Sequence, residues 1–286
     1  MSAFLDTLLG YRVPEIRQAW TQDKTAFYAL SIGLGQNPLD ENELNFVDRD
    51  RPLRAVPTMA CVMAYPGFWL RNPDTGIDAL RIVHGGQEVE LLDTLPVEGE
   101  ILGRTRVTGL VDRGAEKGAI LTYEREIIDL ARDRVAARVR STILLRGNGG
   151  FGGPAGPLPP SYVMPAAEPD FEVALPTRPE QALYYRMNGD YNPVHSDPAA
   201  AAAAGFARPL LHGLCTLGIA CHALLRGVLN HDPSRLKHIG IRFASPVYPG
   251  DVLVTRLWRD GSFSIAAQGR DKPVASGAAT YLDPTE

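Results

Sequence analysis

The sequence predicts an α+β chain of two repeats, each an antiparallel sheet wrapped on one central helix, joined side by side as an internal pseudo-dimer. Three observations predict this. Asn37-Pro38-Leu39-Asp40 recurs as Asn192-Pro193-Val194-His195. Each turn is followed by a proline-led apolar stretch, Val56-Pro57-Thr58-Met59-Ala60-Cys61 in the first half and Arg208-Pro209-Leu210-Leu211-His212-Gly213 in the second. Each stretch is followed by four alternating or β-branched segments that read as a meander.

In order along the chain, residues 1–24 form a lead-in of two weak helical turns broken at Pro14. A helix starts near Thr25 and ends at Gly33-Leu34-Gly35. The apolar stretch after Val56 predicts a helix of about two turns, stopped by Pro66-Gly67. Strands follow at about 86–95, 101–111, 119–128 and 134–145, with turns at Gly99-Glu100 and Arg113-Gly114. The Gly- and Pro-rich stretch 147–160 carries no packing signal and divides a first repeat, 1–146, from a second, 161–286. In the second repeat six alanines, 199–204, propagate a short helix that Gly205 ends. Residues 210–229 are apolar or small on nearly every side, which marks a buried helix of about five turns led by Pro209. Strands close the chain near 237–246, 251–259, 262–269 and 273–282.

Composition narrows the function. A hydrophobic content of 45% over 286 residues supports a full core, and a formal charge of −4 gives no general attraction to nucleic acid. Arg226 and the polar residues in and after the apolar helix argue against a membrane span. The three cysteines, Cys61, Cys215 and Cys221, are odd in number and lack metal-ligand spacing; they read as reduced, buried residues of a cytoplasmic protein. Neither the N-terminus nor the final Asp-Pro-Thr-Glu reads as a secretory or peroxisomal address.

The chemistry concentrates between 184 and 217. Gly189 frees the backbone and Pro193 pushes Asn192 out of the helical region, so Asp190, Asn192 and His195 sit on one irregular turn. A carboxylate, an imidazole and an amide together suit general acid–base work on a water. A plain Asx turn with a solvated histidine would use the same residues. The turn feeds the N-terminus of a buried helix, where free N–H groups and the positive dipole end stabilise developing negative charge. In the first copy Gly35 and Asp40 fall where Asp190 and His195 stand, so that copy keeps the turn and lacks the chemistry.

Gly189-Asp190-Tyr191-Asn192-Pro193-Val194-His195-Ser196-Asp197-Pro198, followed by Arg208-Pro209-Leu210-Leu211-His212-Gly213-Leu214, resembles the signature of the R-specific enoyl-CoA hydratases. These are the MaoC-like or hydratase 2 group, also found as a domain of the peroxisomal multifunctional enzyme type 2. The likeness extends to the degenerate first copy, the His84-Gly85 stretch and the Gly-rich connector, and covers nearly the whole chain. Asn188 departs from it, because a smaller residue more often precedes Gly-Asp.

The resemblance implies a double hotdog fold, a homodimer, and reversible syn hydration of a trans-2-enoyl-CoA to the (3R)-3-hydroxyacyl-CoA. It implies no metal and no redox cofactor, coenzyme A being part of the substrate. Asp190 and His195 would activate one water, Asn192 would orient the loop or the water, and the Gly213 N–H would hold the thioester oxygen. That last role needs a helix starting later than Pro209; otherwise Gly213 serves close helix–sheet packing. His212 is expected as a hydrogen-bonded buried imidazole. The shortened first helix would leave room for the acyl chain against Met59, Val62, Met63 and Tyr65. Arg208, with Arg51 and Arg54, is a candidate for the phosphates of coenzyme A. An acyl-CoA thioesterase or a non-catalytic acyl-CoA-binding subunit would use the same scaffold. A metal site of Asp190, His195 and His212 is a weaker alternative, since nothing in the sequence fixes its geometry.

Overall fold

A computed structural model describes residues 2–156, 158 and 161–283. Ten strands form one antiparallel sheet: β1 (Ile16–Trp20), β2 (Ile82–Leu91), β3 (Gly99–Asp112), β4 (Ala119–Asp129), β5 (Arg134–Leu145), β6 (Phe171–Pro176), β7 (Leu236–Phe243), β8 (Val252–Leu257), β9 (Ser262–Ala267) and β10 (Ala275–Tyr281). Their order is β1-β3-β4-β5-β2-β7-β10-β9-β8-β6. Read outward from the centre, the halves match strand for strand, and β2 pairs with β7 from Gly86 opposite Arg242 to Glu90 opposite His238. The chain is a double hotdog, its repeats joined edge to edge as the internal duplication predicts.

Among the described residues six α-helices accompany the sheet: α1 (Ala3–Leu9), α2 (Gln22–Ser31), α3 (Glu41–Val47), α4 (Gln181–Tyr185), α5 (Pro198–Ala203) and α6 (Gly213–Gly227). Helix α6 runs through the main core, with every residue from Cys215 to Leu225 buried. Its counterpart is a short 3-10 segment, Pro57–Cys61, so the first central helix is shorter still than the two turns expected. It ends before Pro66, with Ala64 already in the left-handed region at φ 45°. Among the described residues no helix is long and apolar enough to cross a membrane.

Three expectations change. Strands β1 and β6 lie at the outer edges of the sheet and were not anticipated, because each is short and buries only one side chain fully, too little to mark a strand in the sequence. Pro209 does not begin α6: the N–H groups of Leu210 and Leu211 bind Val194 O and Val247 O, which keeps the chain extended until Gly213. Helix α6 therefore has 15 residues, about four turns and not five. Finally, the first part of the connector is anchored. Asp112 accepts hydrogen bonds from the backbone N–H groups of Gly150, Gly152 and Gly153, and Phe151 packs edge-on to Phe4. Pro157, Pro159 and Pro160 of the connector lie outside the described residues, as do the terminal Pro284, Thr285 and Glu286.

Candidate active site

The matched turns fold alike. In the first, Asn37 Oδ1 accepts from Leu39 N (3.1 Å) and Asn37 O from Asp40 N (3.1 Å). In the second, Asn192 Oδ1 accepts from Val194 N (3.3 Å) and Asn192 O from His195 N (3.2 Å). The Asn192 amide thus shapes the turn; its backbone N–H in addition binds Asp190 Oδ1 at 3.1 Å. Asp40 caps α3 through Asn42 N and Glu43 N, so the residue matching His195 has a structural task. Gly35 gives its N–H to Glu43, whose other oxygen meets the buried His222 of α6 at 2.7 Å.

In the second copy, Gly189 takes φ 115°, a conformation that turns the chain sharply into Asp190. The half-buried His195 places Nδ1 2.9 Å from Leu210 O. A carbonyl only accepts, so Nδ1 carries the proton and Nε2 keeps a lone pair for chemistry. Burial holds the His195 pKa below its usual value, against the opposing pull of Asp190 and the Leu210 carbonyl. The ring is therefore neutral at neutral pH.

His212 completes the cluster. Its ring stacks on His195 with centroids 3.7 Å apart, and its Nε2–H donates to the Asp190 carbonyl at 3.2 Å. Burial, then the neighbouring His195, push its pKa down to about 3. It is the hydrogen-bonded buried imidazole the sequence suggested, and it holds the backbone of the residue beside which it lies. Ligand-type atoms of Asp190, His195 and His212 lie within 4.8 Å of one another. The two rings are stacked at an interplanar angle of 24°, and His195 Nδ1 and His212 Nε2 both donate to backbone carbonyls, which leaves one nitrogen on each ring uncommitted.

Gly213 is the first residue of α6, and the first intrahelical bond runs from Thr216 N to His212 O. The Gly213 N–H therefore belongs to the free donors of the helix start. A methyl group at Gly213 would sit 3.1–3.2 Å from the Phe243 ring, so the residue also allows close packing. Cys215, two residues on, is buried and its thiol is pushed up by desolvation, which leaves it no activated thiolate.

A cavity of about 230 Å³ opens beside His195, lined also by Pro179, Leu183, Arg208, Pro209 and Pro249. Arg208, in the lining, lies over the Tyr248 ring at 4.9 Å and 3.8 Å from Asp251, while Arg270 lies over the same ring at 5.4 Å and binds Asp251 at 2.8 Å. Arg51 is taken up by Glu41 and Asp48, and Arg54 by the His231 carbonyl. The larger cavity, about 410 Å³, lies under Met164, Pro165 and Trp258 and touches none of the cluster. Met59 and Met63 are fully buried in the main core, Val62 nearly so, while Tyr65 is half-buried. They are not in the lining of either cavity.

Sequence reading missed the anchor of the loop. Asn188 Nδ2 donates to Ser31 Oγ (2.8 Å) on α2 and to Tyr185 O (3.0 Å). Gln181 Nε2 and, at 3.6 Å, Cys215 Sγ bind the Ser31 carbonyl. The residue before Gly189-Asp190 is thereby fastened to the other repeat. The only signal was the unusual size of Asn188, which told that the packing differs without naming the partner.

Residues 19–147 match the family model of the MFE-2 hydratase 2 N-terminal domain, and residues 162–280 that of the MaoC like domain. The chain is 39% identical over 279 residues to enoyl-CoA hydratase ChsH3 of Mycobacterium tuberculosis, covering 94% of this chain and 95% of the relative. It is 35% identical over 298 residues to the peroxisomal enoyl-CoA hydratase 2 of Arabidopsis thaliana, covering 97% and 94%. Among solved structures, a MaoC-like dehydratase from Phytophthora capsici superposes with a TM-score of 0.84 at 30% identity, covering 97% of this chain and 98% of that one.

Proposed function

The chain belongs to the MaoC-like, hydratase 2 family of hydratase/dehydratase enzymes, and from that premise we propose that it catalyses reversible syn hydration of a trans-2-enoyl-CoA to the (3R)-3-hydroxyacyl-CoA. Its relatives named as enoyl-CoA hydratases support hydration of enoyl-CoA in general. The observation that carries the proposal is the meeting of Asp190 and a neutral His195 with His212, the residue directly before the free N–H of Gly213 at the start of α6.

Conjugate addition of water needs three things: a base, a proton for the α-carbon, and a donor for the thioester oxygen as enolate charge builds. His195 Nε2 and the Asp190 carboxylate hold one water between them. As its oxygen attacks the β-carbon, one of the pair takes its proton, and the pair returns a proton to the α-carbon on the same face. Gly213 N–H, at the positive end of α6, binds the thioester oxygen through both steps. Asn192 shapes the turn, and His212 holds the Asp190 backbone. Every step is a proton transfer or a polarisation, so the residues present suffice without a metal or redox group.

The cavity beside His195 suits the pantetheine arm, with Arg208 at its mouth for the phosphates. The acyl chain would extend into the first repeat, toward Tyr65 and the Met59, Val62 and Met63 wall left by the short 3-10 segment; side chains there must give way to admit it. The test is product identity. Crotonyl-CoA should yield 3-hydroxybutyryl-CoA of R configuration by chiral chromatography, with no free thiol. Release of thiol, or an S product, would reject the proposal.

A further inference from the structure

From Tyr123 to Ile127 the side chains of β4 alternate between the two sheet faces, Glu124 being covered by its two arginines. Glu124 and Glu126 point outward, where Glu124 pairs with Arg106 and Arg140 (2.9 Å each) and Glu126 with Arg138 (3.6 Å). Tyr123, Arg125 and Ile127 therefore point inward, and Arg125 is only 3% exposed. Such a position ordinarily holds a hydrophobic residue, because a buried charge is costly unless it is paired. Among the described residues Arg125 has no carboxylate partner: the titratable groups nearest its guanidinium are Cys61, Tyr123 and Tyr65, whose pKa values burial raises, so they are neutral at neutral pH. Its Nη2 donates to the carbonyls of Ala60 (3.2 Å) and Cys61, the last of the 3-10 segment, and its guanidinium lies over the Tyr65 ring at 5.3 Å. Its Nε is buried and has no acceptor.

The place matters as much as the charge. Arg125 sits on the inner sheet face just past Cys61, where a helix as long as α6 would have continued. Tyr65 and Tyr123, its neighbours, are also close enough to Asp190 to feel that carboxylate. Arg125 thus contacts the Ala60–Tyr65 segment itself, the same segment proposed as the wall of the acyl chain. A plain alkyl tail meeting that wall would leave the cation unpaired, whereas an anionic end would neutralise it and accept from the orphaned Nε–H.

We propose that Arg125 is a specificity-determining residue at the distal wall of the acyl site, and that the favoured substrates are short enoyl-CoA thioesters ending in a carboxylate. This rests on the hydratase reading and narrows its substrate class. Removing one partner of a buried hydrogen-bonded charge pair costs about 2 kcal/mol or more, which is roughly 30-fold in an equilibrium or rate ratio.

The test compares kcat/KM for crotonyl-CoA, 2-hexenoyl-CoA and the six-carbon 2-enoyl-CoA with a terminal carboxylate, on wild type, Arg125→Met and Arg125→Lys. Wild type should prefer the carboxylated six-carbon substrate over 2-hexenoyl-CoA. Arg125→Met should reduce that preference by roughly 30-fold, and Arg125→Lys should keep part of it. A wild type that favours the alkyl chain would overturn the proposal, and so would an Arg125→Met loss that is uniform across substrates, which marks a purely structural cap on Ala60 and Cys61. Should Arg125→Met fail to fold, the wild-type preference alone decides. The panel separates the two levels: no hydration of any of the three substrates by wild type rejects the hydratase reading, while hydration without carboxylate preference rejects only the role of Arg125.

Discussion

Asn188→Ala tests whether one repeat positions the chemistry of the other. The side chain makes two bonds, to Ser31 Oγ at 2.8 Å and to Tyr185 O at 3.0 Å, directly before Gly189-Asp190. A typical net bond contributes about 1 kcal/mol, so the loop loses about 2 kcal/mol of anchoring. Expressed wholly in the transition state, that is roughly 30-fold in kcat; a displacement of about 1 Å at a reacting group alone can cost about 100-fold. Asn188→Ala should therefore lower kcat about 10- to 100-fold, with KM changing less because the cavity beside His195 is untouched. Ser31→Ala removes one of the two bonds, and also the donor to Tyr28 O at 2.7 Å, and should cost about tenfold. Since the two variants delete the same contact, the double variant should be little worse than Asn188→Ala, with a coupling of about 1 kcal/mol. Steady-state hydration of crotonyl-CoA, with kcat and KM separated and a thermal melt as control, gives the answer. Additive losses, or a change confined to KM, would refute the anchoring.

Other outcomes follow from the same geometry. Gly213→Ala puts a methyl 3.1–3.2 Å from the Phe243 ring and shifts the N–H at the helix start; up to about 10²–10³-fold of kcat should go, and Phe243→Leu in the same chain should restore part of it. The His195 pKa is lowered, and protonation removes the base, so kcat/KM should hold down to and below about pH 6.5 before falling; a limb above that value would contradict the assignment. His212 has a folded pKa of about 3, below its unfolded value, so the unfolded chain binds the extra proton in between. Its contribution to stability is complete above about pH 6.5 and declines below it, which denaturant titrations at descending pH will show, and which His212→Leu should flatten. Two copies are expected to associate, and sedimentation at the mass of one chain, 31.1 kDa, would reject that.

Much of this was legible in residue pattern. The eight inner strands announce themselves by alternation, and Asn37-Pro38 against Asn192-Pro193 gives the duplication, down to the same Asx bond in both turns. Edge strands β1 and β6 are short and each buries only one side chain fully, too little to mark them. The start of α6 was misplaced because two backbone bonds from distant segments, Val194 and Val247, outweigh the preference of Pro209 for a first helical position. Asp190 and His195 were readable because they share one turn. The stacking of His212 on His195, the Ser31 anchor and the burial of Arg125 all depend on contacts between elements far apart in the chain, which no spacing encodes.

In the proposed mechanism Asp190 and His195 act as one unit on one water. Loss of the conjugated enoyl absorbance of crotonyl-CoA should be followed for wild type, Asp190→Asn, His195→Gln and the double variant, each checked for its fold. Each single change should lower kcat by about 10²–10⁴-fold, and the double variant should be little worse than the more damaged single one. Near-wild-type turnover in either single variant, or losses that multiply in the double, would contradict it.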